Sequence, residues 1–142
     1  MKHYSHFGTG NFNEKTAKIY TDLSLFTCNQ ELALECIQVF DMIQNPYKKM
    51  KFQHLQLSPI NARNKIQSLI RQEIQRVTEG HEGKITLKIN NLVDKELIDN
   101  LYHAGKSGVK IKAIIRGMCS LIPGVKGLSE NIEVISIVDR YL

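Results

Sequence analysis

The sequence predicts an α/β fold with a parallel or mixed sheet. Three strand-like segments alternate with two helix-like segments along the second half of the chain. The strand-like segments are residues 52–57, 85–89 and 109–115, and the helix-like segments are residues 59–78 and 94–104. This β-α-β-α-β order forms two consecutive crossover units, which place neighbouring strands parallel to each other. Ligands of such sheets bind at the carboxyl ends of the strands, which here are residues 58–63, 90–94 and 116–117.

The first 51 residues predict a strand pair, a helix and a linker. Residues 3–7 form a short strand, and residues 21–27 alternate between apolar and polar side chains as a second strand does. Residues 30–44 carry apolar side chains at helical spacing. The helix ends before Pro46, because a residue that precedes proline avoids the helical region. Residues 46–51 then link this part to the next.

Two helix starts and one long loop are indicated in the second half. Ser58 predicts an N-cap, with Pro59 at the first helical position. Asp94 predicts the cap of the second helix. Residues 117–130 contain three glycines and a proline and therefore predict a loop, and residues 132–138 predict a last strand.

Composition bounds the function classes. The 142 residues carry a formal net charge of +5, which favours a negatively charged partner, although a mildly basic surface explains the same value. The chain has no Trp, which disfavours a stacking platform for single-stranded nucleic acid. Three cysteines without C-x-x-C spacing indicate reduced thiols, and no apolar run approaches the roughly 20 residues of a membrane span. We therefore expect a cytoplasmic protein without a transmembrane segment, and leave peripheral membrane association open.

A glycine-rich turn near the N-terminus is the first candidate site. Gly8, Thr9, Gly10 and Asn11 predict a turn whose backbone N–H groups face a phosphate, and Asn13 is placed to complete it. A plain turn between two strands explains the same residues. The G-x-G spacing alone does not decide between them, since the G-K-[ST] of a P-loop is absent.

Cationic and polar side chains near the strand ends are the second set of candidates. Arg116 ends an apolar strand, where a guanidinium can hold phosphate oxygens, and a solvated loop arginine is the alternative. Lys88 and Asn90 alternate away from the apolar face of their strand, which places them at a cleft or at an edge. Arg63 lies near a helix N-terminus, where anions are favoured, and a surface arginine is the alternative. Tyr20 is a candidate for stacking on a base or sugar, or else a core residue.

Three segments of the chain resemble the type-one polyphosphate kinases. They are HFGTGNFNEKTAKIYTDLSLFT at residues 6–27, SPINARNKIQSLIRQEI at residues 58–74, and the segment KINNLVDKELIDNLYHAGKSGVKIKAIIRGMCSLIPGVKGLSENIEVISIVDRYL at residues 88–142. The resemblance covers nearly the whole chain. It implies a kinase of the transferase class that reversibly moves the terminal phosphate of ATP to inorganic polyphosphate. It also implies a phosphohistidine intermediate, a requirement for Mg²⁺ and a homo-oligomer, with ATP, ADP and polyphosphate as partners and no nucleic acid.

The resemblance also implies a domain organisation. Catalytic halves in this family consist of two phospholipase D-like domains, each incomplete in this chain. Residues 1–45 then correspond to the end of the first domain, residues 46–51 to a linker, and residues 52–142 to the start of the second. The turn at residues 8–11 matches the second half of a phospholipase D-like motif. The family's phosphorylated histidine, its other functional histidine and its magnesium-linked arginines are expected outside this chain, so that the fragment alone is expected to be inactive.

Two nucleotide contacts of the family carry over to this sequence. The resemblance places Tyr20 beside the nucleotide and Arg116 on its phosphates, and implies no catalytic histidine and no metal ligand within the chain. Two other interpretations stay open from the residues. One is a non-catalytic module that binds polyanions or nucleic acid, which the basic charge permits, and the other is a phospholipase D-like phosphodiesterase.

Overall fold

The computed structural model describes residues 1–138. These residues form two compact units, residues 1–60 and residues 61–138. The last four residues of the predicted second domain, 139–142, lie outside the described residues. Helices, an antiparallel strand pair and a parallel sheet are all present, which confirms the predicted α/β class. None of the helices in the described part of the chain is long and apolar enough to cross a membrane.

The first unit contains a strand pair and two helices. Strand β1, Ser5–Gly8, pairs antiparallel with strand β2, Ser24–Thr27. Between them lies a short helix α1, Glu14–Ala17, which the sequence analysis did not predict. Helix α2 spans Gln30–Gln44, the range that the apolar spacing predicts. The Asn29 side chain caps it by accepting a hydrogen bond from the Leu32 N–H at 3.1 Å.

The predicted strand at residues 52–57 is wrong, because a carboxylate binds its backbone. Glu35 on α2 is 7% exposed. It accepts hydrogen bonds from the backbone N–H groups of Gln53 at 2.6 Å and of Leu55 at 2.7 Å, and both of its oxygens accept from the His54 N–H at 3.1 Å. These donors are therefore not available to a neighbouring strand. Without that strand, the first of the two predicted crossover units does not form.

The carboxyl group of Glu35 is acidic in spite of its burial. Desolvation raises its pKa, but the backbone hydrogen bonds from Leu55, Gln53 and His54 and the charge of the His54 side chain lower the pKa by more. The pKa of Glu35 therefore lies below its ordinary value, and the group binds the segment as a carboxylate.

The second unit begins with helix α3, Ala62–Thr78, and the predicted start of this helix at Ser58 and Pro59 is wrong. Residues 58–61 form a turn instead. The first i to i+4 hydrogen bond runs from the Lys65 N–H to the Asn61 carbonyl at 3.1 Å, so that Asn61 occupies the cap position.

A three-stranded parallel sheet forms the rest of the second unit. Strand β3, Lys84–Ile89, is followed by helix α4, Lys95–Lys106, and strand β4, Lys110–Ile115. Strand β5, Ile132–Ile135, follows the predicted loop, and the sheet order is β3-β4-β5. The crossover β3-α4-β4 is the predicted one, and Asp94 caps α4 as predicted by accepting from the Leu97 N–H at 2.9 Å.

The core of this unit lies between the sheet and helices α3 and α4. Its buried side chains are Ile70, Leu92, Ile98, Leu101, Ala104, Val109, Ile111, Ala113, Ile115, Leu121 and Ile132. On β4 the apolar residues Ile111, Ala113 and Ile115 alternate with the exposed Lys110 and Lys112. This alternation directs the apolar side chains to the helices and leaves the lysines on the opposite face of the sheet.

Candidate functional site

Asn90 and Arg116 meet at the carboxyl edge of the parallel sheet. Strands β3 and β4 end level with each other, because Ile89 is the register partner of Ile115. The next residue on each strand is therefore Asn90 or Arg116. The guanidinium Nε of Arg116 donates a hydrogen bond to the Asn90 side-chain Oδ1 at 2.9 Å. The structure thus brings together two of the candidate residues, and it does so at the edge where parallel sheets bind ligands.

Backbone contacts join the two loops that leave these strands. The Gly117 N–H donates to the Asn90 carbonyl at 2.8 Å, and the Met118 N–H donates to the Asn91 side chain at 2.8 Å. A Cβ atom at Gly117 would lie 2.8 Å from the Asn90 carbonyl oxygen and would overlap the Asn91 amide. The Leu92 N–H in turn donates to the Met118 carbonyl at 2.8 Å. The backbone that follows Arg116 is therefore hydrogen-bonded to the residues at the end of β3.

Lys88 adds a positive charge to the same strand. It is exposed, and it lies two residues before Asn90, which places the two on the same side of β3. Within residues 1–138 its ammonium group makes no ion pair. A lysine beside the Asn90–Arg116 pair gives this edge a local attraction for anions.

Arg63 is held differently from Arg116. Its guanidinium donates to the Asp94 carboxylate at 3.0 Å and to the Glu96 carboxylate at 2.8 Å, and the Gln67 side chain donates to the second oxygen of Glu96 at 2.6 Å. Two carboxylates therefore offset the charge of Arg63, and the contact joins α3 to the start of α4. This placement favours a structural role over the predicted phosphate contact.

The glycine turn of the first unit is organised around Asp22. The Thr9 hydroxyl donates to the Asp22 carboxylate at 3.0 Å and accepts from the Leu23 N–H at 3.0 Å, and the Thr9 N–H donates to the Leu23 carbonyl at 3.0 Å. A Cβ atom at Gly10 would overlap the Asp22 side chain. Gly8 and Gly10 have φ values outside the left-handed region. The hydroxyl and the N–H of Thr9 therefore serve the turn itself, as in the plain turn that was the alternative to a phosphate-binding one.

Asn13 and its neighbours are also engaged locally. The Asn13 side chain caps α1 by accepting from the Lys15 N–H at 3.0 Å and the Thr16 N–H at 3.1 Å. The Asn11 carbonyl accepts from the Asn13 N–H at 2.8 Å, and the Asn11 side chain is exposed. Tyr20 is half-buried just after α1, and its N–H donates to the Thr16 carbonyl at 3.2 Å. The structure places Tyr20 and the turn in the same unit.

Asn91 and Asp22 are site residues that the sequence analysis missed. Asn91 follows the candidate Asn90, and the two consecutive asparagines directly after an apolar strand are a signal from which it could have been found. Asp22 carries no such signal, because its contact with Thr9 spans 13 residues and depends on the antiparallel pairing of β1 with β2.

Within residues 1–138 no three side chains of His, Cys, Asp or Glu lie close enough together to hold a metal ion. These residues therefore do not fit a metal centre of their own, although a bound nucleotide can bring a magnesium ion with it.

Two protein-family models match the chain. The model described as polyphosphate kinase C-terminal domain 1 matches residues 1–49, and the one described as polyphosphate kinase C-terminal domain 2 matches residues 55–142. The matches together cover both units.

Individual relatives and a solved structure carry the same name. A polyphosphate kinase of Vibrio vulnificus is 58% identical over 139 residues, and the polyphosphate kinase of Escherichia coli is 52% identical over 139 residues. Each match covers 98% of this chain and 20% of the relative, so that the chain spans about a fifth of the length of these relatives. The crystal structure of polyphosphate kinase from Porphyromonas gingivalis matches 99% of this chain and 23% of that chain, with a TM-score of 0.90 at 38% identity.

Proposed function

Because this chain belongs to the polyphosphate kinase family, we propose that it supplies nucleotide- and phosphate-binding residues to an enzyme that reversibly transfers the terminal phosphate of ATP to inorganic polyphosphate. The observation that supports this role is the Asn90–Arg116 pair at the carboxyl edge of the parallel sheet, with Lys88 beside it. A positive and hydrogen-bonding edge of this kind suits a chain of phosphates.

The proposed role of Arg116 is to hold phosphate oxygens of the nucleotide. A guanidinium group presents parallel N–H donors that match two oxygens of one phosphate, and charge-assisted bonds of this kind are about twice as strong as neutral ones. Phosphoryl transfer depends mainly on positioning and on cations that face the oxygens of the transferred group. Arg116 would supply both, and Lys88 would add attraction for the polyphosphate chain.

Tyr20 is proposed to contact the nucleotide, as the family resemblance implies. Its ring is half-buried, so that one side can pack on protein while the other meets a base or sugar. We do not extend the proposal to Thr9, Asn13 and Arg63, because the Thr9 hydroxyl binds Asp22, the Asn13 Oδ1 caps α1, and one terminal nitrogen of Arg63 binds two carboxylates.

The phosphorylated histidine and the magnesium ligands of the family are proposed to belong to other parts of the full-length enzyme. Magnesium would neutralise charge on the phosphates of bound ATP. The residues of this chain would then bind and orient the nucleotide rather than form the phosphohistidine. We also propose a cytoplasmic homo-oligomer in which residues 46–51 of this chain link the two phospholipase D-like domains.

The proposal is tested by phosphate transfer in the full-length kinase that carries this segment. With ATP radiolabelled at the terminal phosphate, we expect label to appear in acid-insoluble polyphosphate, and ADP added in excess should return it to ATP. Hydrolysis of a phosphodiester without such transfer would support the phosphodiesterase instead. Binding of DNA or RNA with a steep dependence on salt, and no polyphosphate formed, would support the nucleic-acid module.

A further inference from the structure

We propose that Asn90 is a positioning residue for Arg116, and that its side-chain oxygen orients the guanidinium toward the phosphates of the nucleotide. The inference rests on the proposed function, in which Arg116 binds phosphate. It changes the role of Asn90 from a phosphate ligand, as the sequence suggested, to a residue that acts through its neighbour.

The atoms that form the contact support this role. The Asn90 Oδ1 accepts from Nε of Arg116 at 2.9 Å. Nε is the guanidinium nitrogen nearest the aliphatic part of the side chain, so that this bond restrains the plane of the group. A bidentate phosphate contact would use the two terminal nitrogens instead. The contact with Asn90 is a hydrogen bond from the guanidinium to a neutral amide.

The backbone next to Arg116 is held from the same strand. The Asn90 carbonyl accepts from the Gly117 N–H, and the Asn91 side chain accepts from the Met118 N–H. Asn90 therefore fixes both the plane of the guanidinium and the chain direction just after it. A flexible arginine loses rotamer freedom when it binds, and a prior constraint lowers that cost.

A double-mutant cycle in the full-length kinase tests the inference. The four proteins are the wild type, Asn90→Ala, Arg116→Ala and the double variant, and kcat and KM are measured separately for ATP and for polyphosphate. Asn64→Ala is the matched control, because Asn64 is an exposed asparagine on α3. Thermal unfolding of each protein reports whether it folds, and Asn90→Ser replaces Asn90→Ala in the cycle if the latter does not.

If Asn90 acts through Arg116, Asn90→Ala lowers kcat/KM for ATP roughly 10-fold in the wild-type background and less than about 2-fold in the Arg116→Ala background. The KM for polyphosphate and the unfolding midpoint should stay near those of Asn64→Ala. Equal losses in both backgrounds would overturn the inference while leaving the proposed role of Arg116 intact. Full activity of Arg116→Ala would overturn the proposed role of Arg116 and the inference with it.

Discussion

The carboxylate of Glu35 binds the backbone N–H of Leu55 at 2.7 Å, across 20 residues of sequence. It also accepts hydrogen bonds from the N–H groups of Gln53 and His54, so that one side chain of α2 holds three consecutive residues of irregular backbone. The contact decides the conformation of the segment that leaves the first unit.

Glu35→Ala should release this segment. Hydrogen bonds to a charged group contribute about 1.5–3 kcal/mol, so that local stability should fall by about 2 kcal/mol or more. The measurement is amide hydrogen exchange of Gln53, His54 and Leu55, where protection should be lost. Glu31→Ala is the control, since it removes only an exposed pair with His54 and should change protection little. Unchanged protection in Glu35→Ala would show that the carboxylate does not hold the segment.

The same contact should depend on pH. The pKa of Glu35 in the folded chain lies below its ordinary value of 4.5. A group with a depressed folded pKa stabilises the fold above its unfolded pKa, and that stabilisation is lost as the pH falls through the folded pKa. Amide exchange at Gln53 and Leu55, corrected for intrinsic rates, should therefore accelerate only below pH 4.5. Release of these amides at higher pH would contradict the lowered pKa.

Arg63→Met should leave nucleotide kinetics unchanged in the full-length kinase. The Arg63 guanidinium binds Asp94 and Glu96, and all three side chains are more than 40% exposed. Exposed pairs contribute about 0–1 kcal/mol, so that a small loss of stability is the expected result. The KM for ATP decides the matter, with Lys65→Met on the same helix as control. A roughly 10-fold rise in the KM for ATP in Arg63→Met, without a rise in Lys65→Met, would show that Arg63 contacts the phosphates.

Gly117→Ala should impair activity through the backbone. An added Cβ would meet the Asn90 carbonyl oxygen at 2.8 Å and overlap Asn91, so that the loop after β4 must shift. We expect kcat/KM for ATP to fall by roughly 10-fold or more, since small displacements of a binding group are costly. Gly124→Ala is a useful contrast, because nothing lies within 4 Å of its Cβ position, although its φ of 71° carries strain. Normal kinetics in Gly117→Ala would show that this close approach is not required.

Local patterns predicted the elements that depend on local forces. The bounds of α2 follow from apolar spacing and from Pro46, and the cap of α4 follows from Asp94. The strand–helix–strand order of β3, α4 and β4 also predicted that residues 90 and 116 come to one edge of the sheet, because it makes the two strands parallel. These features follow from residue spacing, from capping residues and from the order of the elements, and one sequence is enough to reveal them.

Features decided by distant contacts were not predictable in the same way. Residues 52–57 were interpreted as a strand, but Glu35 on α2 binds the N–H groups of residues 53–55. Arg63 was a candidate for a phosphate contact, with a surface arginine as the alternative, but one of its terminal nitrogens donates to both Asp94 and Glu96, more than 30 residues away. At the glycine turn, Asp22 takes the hydroxyl of Thr9. In each case the group forms a hydrogen bond with a carboxylate that is distant in the sequence. A local sequence pattern does not reveal such a contact.

The most direct test of the proposed role of this chain is the kinetics of Arg116→Ala in the full-length kinase, measured beside Arg71→Ala, an exposed arginine on α3. Loss of a charge-assisted contact of about 1.5–3 kcal/mol predicts a fall in kcat/KM for ATP of roughly 10- to 100-fold, with an unfolding midpoint close to that of the control. Wild-type kinetics in Arg116→Ala, or an equal loss in Arg71→Ala, would contradict the account.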